Sequence, residues 1–316
     1  MEVHDGIGPH HRRWNHGRQI AAGGGDSLKL TRRDRIALLT PLALLLLAGL
    51  VGPALIGLVA TVTTYSPFGT KVEFAGLQNY LTVLQDPQFL PSLRNIVVFT
   101  LVAVPLELLI GFGLAYVLRE PIAGRPVWRV LLLLPWLISP IANGVMWHFL
   151  FGSATGIADF VGAWFGQSEV ASPIGDLRLA LPATIAVEVW RIAPFVTFLL
   201  LPSLSSVPAE RWEEASLAGA STANRILRIA VPAVRPVLLT IAMLLIGLSL
   251  GTFDTVLILT GGGPGTATLT PALYSYAQAF QINDWPAGAA AGWLIAAGVL
   301  AVGAVYLRLA RRGVEE

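Results

Sequence analysis

Apolar residues gather into six runs along the chain, separated by segments rich in Gly, Pro, Asp and Asn. The runs cover residues 36–62, 95–118, 130–151, 180–201, 231–250 and 287–307. Crossing about 30 Å of hydrocarbon takes about 20 helical residues, and each run is long enough. One such run is compatible with a buried helix in water. Six of them in 316 residues predict an all-α, polytopic membrane protein with six transmembrane helices. The polar stretch 1–35 contains Gly23, Gly24 and Gly25 and four of the five histidines, His4, His10, His11 and His16. It is expected to be a disordered arm rather than a metal site, because no second ligand set accompanies the histidines. The first run is too long for a signal-peptide core and is expected to be retained. Residues 308–316 form a short tail.

Composition supports the membrane reading. The chain is 54% hydrophobic and only 13% charged, with a mean hydropathy of +0.67, whereas soluble domains carry about 25% charged residues. The absence of cysteine excludes disulfides, thiolate-ligated metals and a thiol nucleophile. A net charge of +2 gives no general field for nucleic acid.

The placement of the basic residues predicts orientation. All but Lys71, Arg94, Arg178 and Arg191 of the 21 basic residues lie before the first run, after the sixth, in the connections between runs two and three and between four and five, or, for Arg235, at the start of the fifth run. By the positive-inside bias these segments, and both termini, are expected in the cytoplasm. Pro41, Pro53, Pro105, Pro135, Pro140, Pro182 and Pro194 fall within runs and predict kinks whose freed carbonyls need other partners. Small residues at Gly111 and Ala115, and at Gly288 and Gly292, have the spacing for close helix packing.

The cytoplasmic connection 206–232 is too long for a tight turn. Pro208 suits a first helical turn, and Glu210 complements the helix dipole. Trp212, Ala215 and Ala218 recur at helical spacing, and Gly219 is a natural stop. Ser221 can cap a second short helix holding Arg225, Ile226 and Ile229. Two amphipathic helices meeting at a glycine bend suit docking into another protein's groove; an interfacial helix lying on lipid fits the same pattern.

This loop resembles the EAA motif of ABC importer permeases. Glu213, Ala215 and Gly219 take matching places, and Ile229, Val231 and Pro232 close the region. Glu214 stands where an alanine is usual, and Ala218 where an aspartate often precedes the glycine. Other segments resemble the maltose- and glycerol-phosphate-type sugar permeases: Phe74-Ala-Gly-Leu-Gln-Asn-Tyr80, Leu134-Pro-Trp136, Val189-Trp-Arg191, and Phe253-Asp254 followed by Leu259-Thr-Gly-Gly-Gly-Pro264. The resemblance spans residues 36–307. It implies a type I ABC importer permease fold, with the 206–232 loop as a coupling helix inserted into a cleft of an ATP-binding subunit through Trp212, Glu213, Glu214, Ala215 and Gly219. It also implies a second permease subunit, two ATP-binding subunits, an extracytoplasmic solute-binding protein and a carbohydrate solute. The chain itself would bind no cofactor, since ATP and Mg would be handled by the partner ATPase. An ion-coupled secondary transporter is the alternative, but such proteins usually show internal repeats, and none is convincing here.

Charges within the runs point to a polar path. Glu107, Glu188 and Arg191 lie inside runs, and Asp254 lies near the outer end of the fifth. A mid-membrane charge costs about 2.5–3.5 kcal/mol even on the lenient scale, so these groups should face protein or water. Glu188 and Arg191, three apart, share a helix face; they line a translocation path or pair structurally. Glu107 is expected to be structural. Trp190, Phe195, Phe253 and Tyr274 are aromatic candidates for packing against sugar faces. Gly261–Gly265 lacks the Gly-Lys-Ser/Thr ending of a phosphate loop. Gly247-Leu-Ser249-Leu-Gly251 matches a nucleophile elbow only formally, because it sits in an apolar run rather than at a strand-to-helix turn.

Overall fold

The computed structural model describes residues 31–64, 72–121, 123–152, 156, 160 and 172–312. Two compact units are distinguished, one ending at Pro53 and the other beginning at Ala54. In the first unit, α1 (Arg32–Leu46) is followed by a π-helical turn, Leu47–Val51. Thr31 and Asp34 form a capping box: the Thr31 hydroxyl accepts the Asp34 amide, and the Asp34 carboxylate accepts the Thr31 amide at 2.9 Å. The Thr31 hydroxyl and amide hold the exposed Asp34 carboxyl below its ordinary pKa. Helix therefore begins inside the segment expected to be a disordered arm. Residues 1–30 of that arm, with its four histidines, lie outside the described residues.

The second unit is helical throughout its described part apart from connections. α2 (Gly52–Thr61), which belongs to this unit from Ala54 on, and α3 (Gln78–Gln85) lead into α4 (Phe89–Leu118), α5 (Arg125–Leu137) and α6 (Pro140–Phe151). α7 (Ala180–Ser205), α8 (Ala209–Leu217), α9 (Thr222–Arg225) and α10 (Val231–Leu250) follow. α11 (Asp254–Leu259), α12 (Pro271–Tyr276) and α13 (Trp285–Arg312) complete the order. Among the described residues, the only β pairing is an isolated bridge between Thr63 and Phe74.

Five continuous helical segments are long and apolar enough to cross a membrane: Ala37–Thr61, Phe89–Leu118, Ala180–Ser205, Thr222–Leu250 and Trp285–Ala304. The remaining run, expected as one span over 130–151, is two helices. α5 and α6 meet at a 91° bend. Pro140 forces the preceding Ser139 out of the helical region, to φ −60° and ψ 147°, and the Ser139 hydroxyl caps α6 at the Ala142 amide. The loop 206–232 differs from expectation at its second helix. Ser221 caps a helix as expected, but that helix runs on through a π turn, Ile226–Ala230, into α10 rather than ending.

α4, α7 and α10 share a core built from Val104, Val196, Leu200, Leu204, Val234 and Leu245. α4 and α7 approach closely because Gly111 offers no side chain: a Cβ there would lie 2.6 Å from Val196. A second cluster joins α3, the start of α4, α12 and α13 through Val83, Phe89, Leu273, Tyr274 and Ala290.

Candidate functional site

Two places in the second unit collect the chemistry. The first is a cavity of about 410 Å³ lined by α4, α5, the start of α6, α7, α10 and α11. Glu107 enters it from α4, Trp136 from α5, and Glu188, Arg191 and Phe195 from α7. Ser249, Thr252, Phe253, Asp254 and Thr255 close the other side. Arg191 donates to Glu188 through Nη2 at 2.5 Å and Nε at 3.4 Å, and both side chains are largely buried. Thr255 Oγ1 donates to the same carboxylate at 3.5 Å. The ion pair between adjacent turns of α7 thus neutralises itself before it faces the cavity. Glu107 is only 1% exposed and lines the same cavity as the pair.

Aromatic surface covers one wall. Trp136 and Phe195 stack with centroids 4.8 Å apart and planes 7° from parallel. Flat rings lining the same cavity as carboxylates and hydroxyls suit a solute that has both apolar faces and hydroxyl groups.

Five of the path candidates therefore meet in one cavity: Glu188, Arg191, Phe195, Phe253 and Asp254. Two do not. Trp190 is 37% exposed and packs edge-on to Trp147 at 5.4 Å. It lines a different, mostly apolar groove of about 1100 Å³ along α4 and α7, whose border includes Arg94 and Arg178. Tyr274 is buried in the second cluster, where its hydroxyl donates to Asp86 at 2.8 Å and its ring packs on Phe89 at 5.2 Å. Burial first, then the Asp86 carboxylate, pushes its phenol above the ordinary range. Sequence reasoning set Glu107 aside and missed Trp136, Thr252 and Thr255 as cavity residues. An intramembrane charge was the one signal for Glu107, and Leu134-Pro-Trp136 the one for Trp136.

The second place is α8. It buries no residue completely; Glu213 and Glu214 are exposed, and Leu217 is 89% exposed. Pro208 occupies the N-cap rather than the first turn, with Glu210 following. The helix ends in a Schellman motif. Ala220 N–H bonds to Ala215 carbonyl at 2.9 Å and Gly219 N–H to Ser216 carbonyl at 3.0 Å. Gly219 has φ +71°, and open space surrounds the position of its absent Cβ, so conformation rather than crowding requires glycine there. Arg225 Nη1 donates to Ser216 Oγ at 3.2 Å, tying α8 to α9. Trp212 is the large apolar side chain that packs α8 on the membrane core.

Among the described residues, no cluster of three or more His, Cys, Asp or Glu could hold a metal ion. His148 directs Nδ1 to the Leu259 carbonyl at 2.8 Å.

Residues 95–313 match the family described as "Binding-protein-dependent transport system inner membrane component". The trehalose/maltose transport system permease protein MalF of Thermococcus litoralis is 33% identical over 276 residues, covering 87% of this chain and 92% of that protein. The sn-glycerol-3-phosphate transport system permease protein UgpA of Yersinia pestis is 28% identical, covering 80% and 86%. A chain of a bacterial alginate ABC transporter, crystallised with an alginate-pentasaccharide-bound periplasmic protein, superposes with a TM-score of 0.77. It is 21% identical and covers 89% of this chain and 95% of that one; the likeness is one of fold.

Proposed function

Because the chain belongs to the binding-protein-dependent transport system inner membrane component family, we propose that it moves a carbohydrate across the cytoplasmic membrane by alternating access. It is a multi-pass permease subunit of an ABC importer and hydrolyses no ATP itself. In the proposed assembly it pairs with a second permease subunit, a related but different chain, and with two ATP-binding subunits that hold ATP and Mg. An extracytoplasmic binding protein delivers the solute. Both termini face the cytoplasm, in keeping with the distribution of arginine.

The observation that carries this reading is α8: a short, rigidly ended helix that presents Glu213, Glu214 and Leu217 to the outside while one side, at Trp212, packs on the membrane core. An exposed apolar residue on so fixed a projection suits insertion into a partner's groove. The cavity supports a carbohydrate cargo through its stacked rings and its hydroxyl-bonding groups, as do relatives named for trehalose/maltose and glycerol-3-phosphate transport. ATP binding brings the ATPase subunits together, displaces α8, and opens the cavity outward; hydrolysis resets it.

The test is a pull-down from detergent extract of wild type and Gly219→Asp, with mass spectrometry of the bound chains. An ATP-binding subunit and a second permease should accompany wild type, with less ATPase on the variant. Wild type that purifies alone and transports solute without ATP would instead establish the ion-coupled carrier.

A further inference from the structure

We infer that Arg119 is a positioning residue through which α8 moves α4, so that the cation–π contact between Arg119 and Trp212 joins the coupling helix to the helix carrying Glu107. The inference rests on the importer reading above and adds to it the route by which motion enters the membrane core.

Arg119 follows the last residue of α4. A cation at a helix C-terminus on the cytoplasmic side is expected to snorkel into water. Arg119 does the opposite. Its side chain is only 8% exposed. The guanidinium carbon lies 3.5 Å from the centroid of the Trp212 ring and 4.3 Å from that of Tyr116, one turn back on α4. Tyr116 and Trp212 meet edge to face at 6.1 Å, so the cation is held between two rings. Nη2 pairs with Glu120 at 2.6 Å, while Nε is buried with no hydrogen-bond partner. Arginine's planar, weakly hydrated head suits such stacking better than an ammonium does.

The position of this contact gives it a mechanical role. α8 is joined to α7 and α9 by short chain segments, and Arg225–Ser216 reinforces the α9 side. Toward α4 the connection is purely noncovalent, and Trp212 makes it. From there α4 continues as one helix to Glu107, about 18 Å along its axis. The close approach of Gly111 to Val196 locks α4 onto α7, which holds Glu188 and Arg191. A force on α8 therefore reaches both carboxylate-bearing walls of the cavity through one clamp.

The experiment uses the complete complex, with both permease subunits and the ATPase subunits, in proteoliposomes supplied with its binding protein. Solute uptake and ATP hydrolysis are measured together for wild type, Arg119→Gln, Trp212→Leu, the double variant and Trp212→Phe. Arg119→Gln and Trp212→Leu should each lower uptake per ATP several-fold. The double variant should be no worse than either alone, and Trp212→Phe, which restores a ring face, should recover most of the ratio. A wild-type ratio in Arg119→Gln or Trp212→Leu, or losses that multiply in the double variant, would overturn the inference. Trp212→Leu keeps an apolar side chain against the core cluster, so it remains a test if Arg119→Gln does not assemble. Failure of the importer reading is distinguishable, because then wild type itself would show no ATP-driven uptake.

Discussion

Gly111 on α4 faces Val196 on α7 so closely that a Cβ at Gly111 would fall 2.6 Å from the valine side chain and 3.0 Å from the Ala193 carbonyl. In an open helix, Gly→Ala gains about 1 kcal/mol of helix propensity. Here the sign should reverse, since overpacking costs about 1–3 kcal/mol. Gly111→Ala should lower the thermal stability of the purified complex. Adding Val196→Ala, which removes Cγ1 but leaves the equally close Cβ, should restore only part of the loss. An unchanged or raised melting temperature for Gly111→Ala alone would show that the two helices do not meet as described.

Gly219 calls for a different substitution series. Its φ of +71° is strained for a residue with a Cβ by about 1 kcal/mol, although nothing crowds the site. Gly219→Ala should fray the end of α8 and weaken ATPase retention, whereas Gly219→Asn, which tolerates the left-handed region better, should do so less. Co-purification yields of the two variants check this order, and equal losses would point to side-chain contact with the partner instead of backbone strain.

How much of this was legible beforehand depended on whether one helix decides the matter. The six runs were visible because span length is a local property, and the Glu188–Arg191 pair because residues three apart share a face. The same rule accounts for Phe195, which continues that face, and for Trp190, which leaves it: neighbours on a helix point about 100° apart. Tyr274 was not legible, because its environment is set by Asp86, 188 residues away. The 91° bend between α5 and α6 was foreshadowed by Pro135 and Pro140. Its size depends on what α6 meets: His148 reaches the Leu259 carbonyl, and Gly144 lets Ile258 of α11 approach. The Arg119–Trp212 contact joins the end of α4 to α8, far apart in the chain, and no local pattern announces it.

Tyr274 gives a pH-dependent expectation. Burial and the Asp86 carboxylate raise its pKa, so the folded protein keeps the proton that an unfolded chain releases near pH 10. The contribution to stability is present below that pH and is lost as pH rises above it. In a tyrosinate absorbance titration of the folded protein, Tyr274→Phe should leave the amplitude near pH 10 unchanged, because Tyr274 does not ionise there. A smaller amplitude in the variant would mean that the hydroxyl titrates normally.

Ser249 separates transport from hydrolysis. It lies in α10 on the cavity wall, not at a strand-to-helix turn. The histidine within the described residues, His148, is engaged with the Leu259 carbonyl. Ser249→Ala should therefore retain uptake close to wild type. Abolished activity with an intact fold would revive a nucleophilic role for this serine.

The Glu188–Arg191 pair offers the sharpest contrast between stability and function. Removing one partner of a buried pair leaves an uncompensated charge and costs about 3–5 kcal/mol, whereas replacing both by neutral groups of similar volume is often close to neutral. Arg191→Met should thus destabilise strongly, because it leaves the largely buried Glu188 carboxylate without its counter-ion. Adding Glu188→Gln should recover most of the melting temperature. It should not recover uptake if the pair also contacts the solute, because the cavity would have lost its charged hydrogen-bonding groups. Uptake that returns together with stability would assign the pair a structural role and leave Glu107, Asp254 and the ring wall as the solute-facing groups.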